Sequence, residues 1–518
     1  MDGRKDWDII IVGGGSAGAI VAGLLAERWP GKSVLLLEAG PSDRRPRVKV
    51  PLGLVKLMGS ERFDWRFKSA PNAALNDAKA SVPRGKVLGG SGSINSMLYV
   101  RGRAQDYDSW AEAGATGWSW EDVLPVFKRM EGNRRLGDAP LHGATGPMIV
   151  EDQTSPHPLT RSLIEAGEAQ QIRPSKDFNG EDQEGLGLYQ VNMKKGRRWT
   201  GVDAYLQPAL GRPGSRLTVE TGVEVDRIDF QDRRAEAVVL RDGRRLQAKE
   251  RIILCAGAIG TPTILLRSGV GPGGSTLDLP GVGQNLSDHA AAPVSFRSAT
   301  RGHGIAWRNI PWVLNAPIRY MRGTGGMLSS PTVEAGGFVK TRPDIDHPDV
   351  QFHFGPFNLG YWGHGYFADA CLLQPKSRGS LTLQADGSPK IDLNLLAHEE
   401  DFQTLKAGWK LLRDILLSQA FGGQSDRMDS PDINPYDEGA IEDWLRHSAF
   451  TSYHPVGTAK MGAATDSTAV VNPESMGVYG VEKLSVVDAS VMPNITSGNT
   501  NNPAMMIAER AARTLIPG

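Results

Sequence analysis

The chain has 518 residues, of which 40% are hydrophobic and 22% are charged, and its 58 Lys and Arg equal its 58 Asp and Glu. This length exceeds what one hydrophobic core usually serves, so we expect a globular protein with two domains. The balanced charge argues against a broad surface for nucleic acid or for an anionic membrane, which leaves small molecules as the expected partners.

Cysteine usage and the apolar segments exclude further classes of protein. The only cysteines are Cys255 and Cys371, too few for a disulfide framework or a cysteine-based metal site. No apolar stretch reaches the roughly 18 residues of a membrane span, so we expect no integral membrane segment. The first residues run into a predicted strand and not into the apolar core of a signal peptide, so we expect a cytoplasmic protein.

The first forty residues have the pattern of a dinucleotide-binding βαβ unit. A predicted strand over residues 8–12 is followed by a glycine turn, a helix and a second strand over 34–37 that ends at Glu38. The turn has the spacing G-x-G-x-x-G, with Gly13, Gly15 and Gly18. These glycines let the backbone approach a pyrophosphate at the helix N-terminus, and the acid binds ribose hydroxyls. Since Glu38 would repel a 2′-phosphate, the unit predicts FAD or NAD and disfavours NADP.

The next region departs from an NAD-dependent dehydrogenase, which would normally continue with further βαβ units. Residues 51–103 are irregular and rich in glycine, and they include the run 85–95. Such a run lets backbone amides lie against a planar or anionic group where side chains would not fit. A flexible surface loop is the alternative interpretation.

Later segments supply further predicted elements. Residues 251–256 predict a buried strand, and Thr261 with Pro262 predicts the start of a helix over 263–268. Residues 280–289 are too rich in glycine for a regular element.

The predicted second domain contains three strands and a helix. Residues 349–354 alternate like a sheet strand with one face available to roof a ligand. Residues 381–383 and 391–393 predict further strands, and 401–417 predict a helix by their apolar spacing.

In chain order, these motifs resemble those of the glucose–methanol–choline (GMC) oxidoreductases. The run 85–95 is similar to the first signature of this family and residues 257–271 to the second. The N-terminal fingerprint, the 280–289 loop and the stretch 488–509 fit as well, so the resemblance spans nearly the whole chain. It implies an α/β fold in which a Rossmann-like FAD-binding domain carries a second, α+β substrate-binding domain, whose antiparallel sheet roofs the flavin.

The resemblance also implies domain limits and cofactor ligands. The FAD-binding domain would be discontinuous, over 1–155, 201–295 and 441–518, and the substrate-binding domain would cover 156–200 and 296–440. The residues that it assigns to FAD are Gly13, Gly15, Ser16, Ala17, Gly18, Glu38, Ala39, Gly89, Gly90, Ser91, Asn95, Val225, Asp488, Ala489, Asn501 and Pro503. Some relatives attach FAD covalently through a histidine directly before the asparagine of the first signature. Ile94 occupies that place, so we expect non-covalent FAD.

The resemblance assigns catalysis to His454 and Asn499. Residues 451–462 are similar to the family's histidine loop, and residues 499–503 to the segment that carries its second catalytic residue, for which Asn501 is the alternative to Asn499. The chemistry agrees, because hydride loss from a carbinol carbon requires that the hydroxyl proton leave, and a neutral imidazole can accept it. An amide can orient the oxygen. Pro503 would begin a helix whose N-terminus faces the flavin.

The other histidines are interpreted as structural. His142, His289 and His353 lie in loop or strand contexts that need no catalytic role, and His447 has no motif around it.

The substrate is less defined by the sequence. Residues 357–367, with Tyr361, Trp362, Tyr366 and Phe367, form an aromatic wall of the pocket or an ordinary packed loop. No convincing acid accompanies these aromatics. The sequence therefore favours a small neutral aromatic or heterocyclic primary alcohol, such as hydroxymethylfurfural, pyridoxine or a benzylic alcohol.

The sequence is also compatible with several alternatives. A quaternary ammonium such as choline would bind aromatic rings by cation–π contact. The electron acceptor would be O2 or a quinone or artificial acceptor. An NAD-dependent dehydrogenase, a non-catalytic flavin- or NAD-binding protein and a light-driven fatty-acid decarboxylase are further alternatives.

Overall fold

The computed structural model describes residues 6–303, 310–358, 363–422 and 426–515, and within 310–313 it describes the backbone only. Two seven-stranded sheets organise these residues, and each sheet packs its own hydrophobic core. The predicted fold class is confirmed, since a mainly parallel α/β sheet carries the glycine fingerprint and a second, antiparallel sheet faces it across a cavity. No helix in the described ranges combines the length and the apolar character needed to cross a membrane.

The first sheet has the predicted βαβ unit at its centre. Its parallel strands are, in spatial order, Leu217–Thr221, Val34–Glu38, Asp6–Val12 and Arg245–Leu254, with Leu484–Val486 beside the last of them. An antiparallel hairpin of Arg234–Leu240 and Val225–Gln231 extends the sheet. The central strands are buried on both faces, which their continuous apolar runs require. Gly18 lets the following helix lie close to the first strand, because a Cβ there would overlap the carbonyl oxygen of Gly13.

The second sheet, which we call the roof sheet, is antiparallel. Its strands are, in spatial order, Arg427–Ser430, Ala290–Arg297, Gly365–Leu372, Val350–Gly355, Ala335–Val339 and Gly185–Leu188, and Phe450–Thr451 pairs with Ala290–Arg297. The predicted domain boundary after residue 295 therefore falls inside a strand of this sheet. The helix Glu399–Leu417 covers one face, where Trp409 Nε1 donates to the carbonyl of Pro293 at 3.1 Å. Phe352 and Phe354 pack in that core, and the opposite face carries His353 into the cavity.

The described residues also form helices, short strand pairs and the 3-10 turns Pro51–Gly53, Ala73–Leu75, Gly90–Ser93, Met327–Ser329 and Ala489–Val491. The helices are Ser16–Arg28, Pro46–Lys49, Leu54–Leu57, Ala104–Glu112, Trp120–Met130, Pro158–Glu168, the π-helical turn Val202–Leu206, Gln207–Leu210, Gly257–Arg267, Ile310–Met321, Glu399–Leu417, Glu438–Ser448 and Asn501–Thr514. The short strand pairs are Phe67–Lys68 with Ser81–Val82, Glu131–Asn133 with Met148–Val150, Met193–Lys194 with Arg197–Arg198, Val270–Gly271 with Leu277–Asp278, and Ser380–Leu383 with Pro389–Asp392.

Two helices begin earlier than their prolines predicted. The helix expected over 263–268 starts at Gly257, with Pro262 inside it. A proline there cannot donate to the carbonyl of Ala258, and the hydroxyl of Thr458 donates to that carbonyl instead, at 2.7 Å. The last helix starts at Asn501, so Pro503 is its third residue, where a backbone N–H would have no helical partner.

Candidate active site

A cavity of about 870 Å³ lies between the carboxyl ends of the parallel strands and the roof sheet. In open α/β sheets, ligands bind outside these carboxyl ends. The lining combines the first glycine turn, the first signature, the second signature, the histidine loop and the 488–504 segment. Segments that are far apart in the sequence therefore share one site.

The two glycine-rich turns meet in this cavity. A Cβ on Gly90 would lie 2.7 Å from the Cα of Gly15, so the close approach of the two backbones requires glycine. Gly13 and Gly90 also have φ of +98° and +55°, conformations that favour glycine. The N-terminus of the helix Ser16–Arg28 lies beside them and favours a negatively charged ligand.

Glu38 lies at the end of the second strand and lines the same cavity. Its carboxylate accepts hydrogen bonds from the backbone N–H of Gly14 at 2.9 Å and of Gly40 at 2.7 Å. Burial raises the pKa of Glu38 to about 7, and the two amides oppose this rise. The backbone bonds fix the carboxylate where a ribose could donate to it.

Most of the residues that the resemblance assigned to FAD line the cavity. They are Gly13, Gly15, Ser16, Ala17, Glu38, Ala39, Gly90, Ser91, Asn95, Val225, Asp488, Ala489 and Asn501. Three do not line it. Gly18 allows the helix to pack closely against the first strand, and a Cβ on Gly89 would overlap the hydroxyl of Ser93. Pro503 is buried within the last helix.

The cavity fits FAD. Gly257 has φ of +77° and no atom within 4 Å of the position of a Cβ, so its backbone faces open space in the lining. Glu38 and Val225 lie at the end suited to adenosine, the glycine turns and the helix N-terminus suit a pyrophosphate, and His454 with Asn499 lies towards the roof sheet.

His454 is held by its backbone. Its N–H donates to Oδ1 of Asp288 at 2.9 Å, and Asp288 also accepts from the hydroxyl of Thr451 at 2.5 Å. The preceding residue, Tyr453, has φ of +66°, which is strained for a side chain of this size and turns the chain sharply before the histidine. Burial, with His289, His353 and Arg84 nearby, holds the pKa of His454 well below its usual value of 6.5.

Asn499 lies beside His454. Its Nδ2 is 3.3 Å from Nε2 of His454, and its Oδ1 accepts from Nε2 of Gln351 at 3.2 Å. Gln351 therefore fixes which end of the amide faces the imidazole. Asn501, the alternative partner, accepts from the hydroxyl of Ser16 at 2.7 Å, at the glycine turn and away from the imidazole.

A second histidine sets the tautomer of His454. His289 Nε2 lies 3.0 Å from the carbonyl oxygen of Leu373, which can only accept, so this nitrogen carries a proton. Burial lowers the pKa of His289 to about 3, so the ring is neutral and its Nδ1 is an acceptor. That Nδ1 is 3.0 Å from Nδ1 of His454, which must therefore donate. The lone pair of His454 is left on Nε2.

A third histidine reaches the cavity from the roof sheet. His353 Nδ1 lies 2.8 Å from Oδ1 of Asp369, its partner on the neighbouring strand. Its Nε2 is buried, has no hydrogen-bond partner among the described residues and belongs to a side chain that lines the cavity. A ligand with a hydroxyl group would satisfy this nitrogen.

Arg84 links the first signature to the histidine loop. Its Nε donates to the hydroxyl of Ser91 at 3.0 Å, and its Nη1 donates to the carbonyl of Tyr453 at 2.6 Å. Burial lowers the pKa of Arg84, while Asp288 and Asp64 oppose this effect.

The sequence interpretation missed His289, His353, Gln351 and Arg84. His289 and His353 were assigned structural roles, but His353 lines the cavity and His289 contacts His454 from behind the lining. The expectation of no acid near the aromatics was wrong, because Asp369 lines the cavity beside Phe367 and Tyr453. The alternation of residues 349–354 could have indicated His353, and the pair Asp288 and His289 in the glycine-rich loop could have indicated His289.

The predicted aromatic wall is only partly found. Phe367 lines the cavity, whereas Tyr366 stacks on Phe296 in the core behind the roof sheet. Tyr361 and Trp362 lie outside the described residues. Tyr453 of the histidine loop and Phe450, which directly precedes that loop, add aromatic rings to the lining, as do Trp65 and Phe67.

Similar proteins of known family support the interpretation of this cavity as a flavin site. The chain matches sequence profiles of the GMC oxidoreductases over residues 7–291 and 375–508. It is 39% identical to the alcohol dehydrogenase [acceptor] of Pseudomonas putida, over 98% of this chain and 96% of that protein. It is 36% identical to the oxygen-dependent choline dehydrogenase of Brucella suis, over 98% and 94%. The crystal structure of pyridoxine 4-oxidase from Mesorbium loti superposes with a TM-score of 0.85 and 28% identity, covering 98% of each chain.

The two profiles together cover most of the chain, and the relatives align over nearly their full length. The paired glycine turns, which are the family's cofactor-binding motifs, and the histidine loop line the same cavity. The chain therefore belongs to the GMC oxidoreductase family and is an FAD-dependent alcohol oxidoreductase.

Proposed function

We propose that this protein oxidises a primary alcohol to an aldehyde with His454 as the catalytic base. FAD, when bound, supplies the acceptor for the hydride that leaves the carbinol carbon. The observation that carries the proposal is the 3.0 Å contact between Nδ1 of His289 and Nδ1 of His454, from which we infer that Nε2 of His454 is unprotonated. The hydroxyl proton of the alcohol passes to this Nε2 while the carbinol C–H bond breaks with its electron pair.

Asn499 is proposed to hold the alcohol oxygen. Its Nδ2 faces Nε2 of His454 because Gln351 holds its Oδ1. When an alcohol enters, the same N–H can donate to the oxygen that develops negative charge as its proton leaves. Asn501 is proposed to act at the cofactor end, through Ser16.

The substrate is proposed to be a small neutral aromatic or heterocyclic alcohol. Phe367, Phe450 and Tyr453 supply flat apolar surfaces to the cavity lining, and the rings of Phe450 and Tyr453 lie 6.1 Å apart. Because Asp369 accepts from its Nδ1, the unpaired Nε2 of His353 is an acceptor and supplies one polar contact for a phenol or a second hydroxyl. One similar protein of known structure is a pyridoxine 4-oxidase, whose named substrate has this character.

A quaternary ammonium alcohol is the second candidate. Asp369 places a carboxylate at the same wall as the aromatic rings, and curated relatives include choline dehydrogenases. The carboxylate already pairs with His353, which weakens this candidate. Comparing choline with its uncharged isostere 3,3-dimethyl-1-butanol distinguishes the two candidates, because these alcohols have nearly the same shape and differ in charge. A higher kcat/KM for choline would favour the second candidate, and a lower one the first.

We propose that FAD is bound without a covalent bond. Ile94 lines the cavity at the place where some relatives carry the attaching histidine, and an alkyl side chain cannot form such a bond. Acid precipitation should leave the flavin in the supernatant. A yellow pellet would contradict the proposal.

The test of the reaction is anaerobic mixing of the yellow holoenzyme with a panel of primary alcohols. Flavin absorbance should bleach with aromatic alcohols in the dark, and His454→Ala should slow bleaching by roughly 10²- to 10⁴-fold. The exposed His447 gives the matched control, since His447→Ala should bleach at the wild-type rate. Bleaching of His454→Ala at the wild-type rate would refute the base assignment. Reoxidation in air-saturated buffer, compared with a quinone, would then identify the acceptor.

A further inference from the structure

Arg198 is a buried cation whose guanidinium contacts no carboxylate in the described ranges. Three arginines in these ranges are at most 4% exposed: Arg101, Arg198 and Arg413. Arg101 pairs with Glu131, and Arg413 pairs with Asp414. A charge that is removed from water is strongly unfavourable unless an opposite charge lies nearby. Arg198 therefore lacks the compensation that the other two buried arginines have.

The hydrogen bonds of Arg198 go to uncharged oxygens. Its Nε donates to the carbonyl of Val48 at 3.1 Å, and its Nη1 donates to the carbonyl of Gly92 at 2.9 Å. Asn95 accepts twice, at Oδ1 from Nη1 at 2.7 Å and at its carbonyl oxygen from Nη2 at 2.7 Å. These bonds satisfy the N–H groups and fix the guanidinium in place, but they do not neutralise its charge.

Other groups of the chain compensate this charge only in part. Asp203 attracts the guanidinium from beyond contact distance, but its carboxylate already binds Nζ of Lys49 at 2.7 Å. Tyr320 also acts on Arg198, and it is uncharged near neutral pH because burial raises its pKa. Burial outweighs both effects and lowers the pKa of Arg198 to about 9. The described residues therefore leave the charge without full compensation.

The bonds of Arg198 place its charge directly behind the cofactor cavity. Gly92 and Asn95 belong to the first signature, and Asn95 lines the cavity. A Cβ on Gly92 would lie 2.6 Å from the hydroxyl of Ser16, the first residue of the helix Ser16–Arg28. The positive end of this helix and the guanidinium therefore converge on the part of the cavity where the glycine turns suit a pyrophosphate.

Arg198 also determines which end of the Asn95 amide faces the cavity. One atom of this amide lies 2.7 Å from Nη1 of Arg198 and 3.0 Å from the backbone nitrogen of Met97. A guanidinium and a backbone N–H can only donate, so this atom must be the oxygen. The Nδ2 group of Asn95 is therefore left to donate to an acceptor in the cavity, and the oxygens of a phosphate are such acceptors.

We infer that the phosphates of FAD supply the negative charge that compensates Arg198, which makes Arg198 a positioning residue for the cofactor. Arg198 does not line the cavity, so it acts on FAD without touching it. Its charge attracts the phosphates across one layer of backbone, and its bond to Asn95 directs an amide donor towards them. This charge comes from a segment outside the glycine fingerprint, the short strand Arg197–Arg198.

The test is the rate at which FAD leaves the holoenzyme after dilution, followed by the rise in flavin fluorescence. Arg198→Gln removes the charge and keeps an amide donor. We expect it to release FAD at least about tenfold faster than the wild type, because a charge-assisted attraction is lost. The absorbance of bound flavin in each purified variant verifies that it folds as a holoenzyme.

Arg198→Lys keeps a charge, but one that can be titrated. The ordinary pKa of a lysine amine is about 10.4, below that of arginine, and burial lowers it further. This variant should hold FAD at pH 6 and should release it at least about fivefold faster at pH 8, where the amine loses its proton. The wild-type guanidinium stays protonated over this range, so the wild-type rate should change little.

Arg101→Lys is the matched control, because Arg101 is equally buried and pairs with Glu131. The carboxylate keeps an introduced amine protonated, so FAD release from this variant should not change between pH 6 and pH 8. If Arg198→Gln retains too little FAD to measure, the pH dependence of Arg198→Lys decides alone.

Two results would overturn the inference. The first is that Arg198→Gln and Arg198→Lys release FAD at the same rate at both pH values, which would limit Arg198 to holding the segment 92–95 in place. The second is that Arg198→Gln keeps oxidised FAD as the wild type does and lowers only the midpoint potential of the flavin. That result would assign the charge to the reduced ring and not to the phosphates.

Discussion

Nδ1 of His289 lies 3.0 Å from Nδ1 of His454, so the proton on one ring determines the proton on the other. The carbonyl of Leu373 starts this chain of dependence, and the lone pair on Nε2 of His454, which faces Nδ2 of Asn499, ends it. We predict that His289→Ala lowers kcat by roughly 10²-fold, because His454 then populates the wrong tautomer.

The matched variant for this prediction is His289→Asn. An asparagine oxygen can still accept from His454 Nδ1, so this variant should recover most of the lost kcat. KM should change little in both variants, since His289 does not line the cavity. Equal losses in both variants would show that His289 acts through packing and not through the tautomer.

The two asparagines should have separable effects. Asn499→Ala should lower kcat by roughly 10²- to 10³-fold, since one donor to the developing oxyanion is lost. Asn501→Ala should instead weaken FAD retention through the lost contact to Ser16, which flavin content per protein measures. An unchanged kcat in Asn499→Ala with full FAD content would contradict the assignment.

The pH profile should report the low basicity of His454. The base must be neutral, and burial together with His289, His353 and Arg84 lowers its pKa, so it stays active below pH 6.5. We predict that kcat/KM for a non-ionising alcohol remains level down to pH 6.5 and falls only in more acidic buffer. An acidic limb at or above pH 6.5 would contradict this.

His353 should govern substrate selection more than the chemical step. Its unpaired Nε2 faces the cavity, while Asp369 holds its Nδ1. His353→Phe should raise KM about tenfold for a substrate with a second polar group, such as pyridoxine, and should change it little for benzyl alcohol. Equal effects on both alcohols would show that His353 contributes only to packing.

His303 should make the protein less stable in acid. Burial, with His157 and His364 nearby, lowers its pKa to about 3. The unfolded chain accepts this proton near pH 6.5, so stability is present above that pH and is lost as the pH falls. Between pH 7.5 and pH 5, His303 should account for about 2 kcal/mol of this loss.

His303→Asn removes this acid-sensitive group and should therefore lose about 2 kcal/mol less than the wild type over the same range. Urea unfolding at the two pH values measures the difference. The exposed His447 provides the control variant, His447→Asn, which should follow the wild type. Parallel curves for all three proteins would refute the prediction.

The cofactor half of the site could be predicted because its signals are local. The strand, glycine turn, helix and second strand lie within forty residues, and Glu38 follows from the same unit. The pairing of His454 with Asn499 came from motif resemblance, and the two side chains lie together. Their roles in catalysis stay predictions until the variants above are measured.

The roof-sheet half could not be predicted because it depends on strand register. His353 meets Asp369 only because these two residues are opposite each other on antiparallel strands, and a shift of one residue would turn either away from the cavity. The alternation of residues 349–354 shows that the two faces of this strand differ, but it does not show which residues of the neighbouring strand lie beside each face. The hydrogen bond between His289 and the carbonyl of Leu373 depends on strand register in the same way.

The roof sheet is a single layer with the active site on one side and the helix Glu399–Leu417 on the other. The strand that presents His353 to the cavity places Phe352 and Phe354 against that helix. Directed evolution of this enzyme therefore need not be confined to the pocket. Trp409 is fully buried on the far side and donates to the carbonyl of Pro293, which lines the cavity from the strand Ala290–Arg297. We expect a change of volume at Trp409 to shift this strand and with it the alcohols that the enzyme accepts.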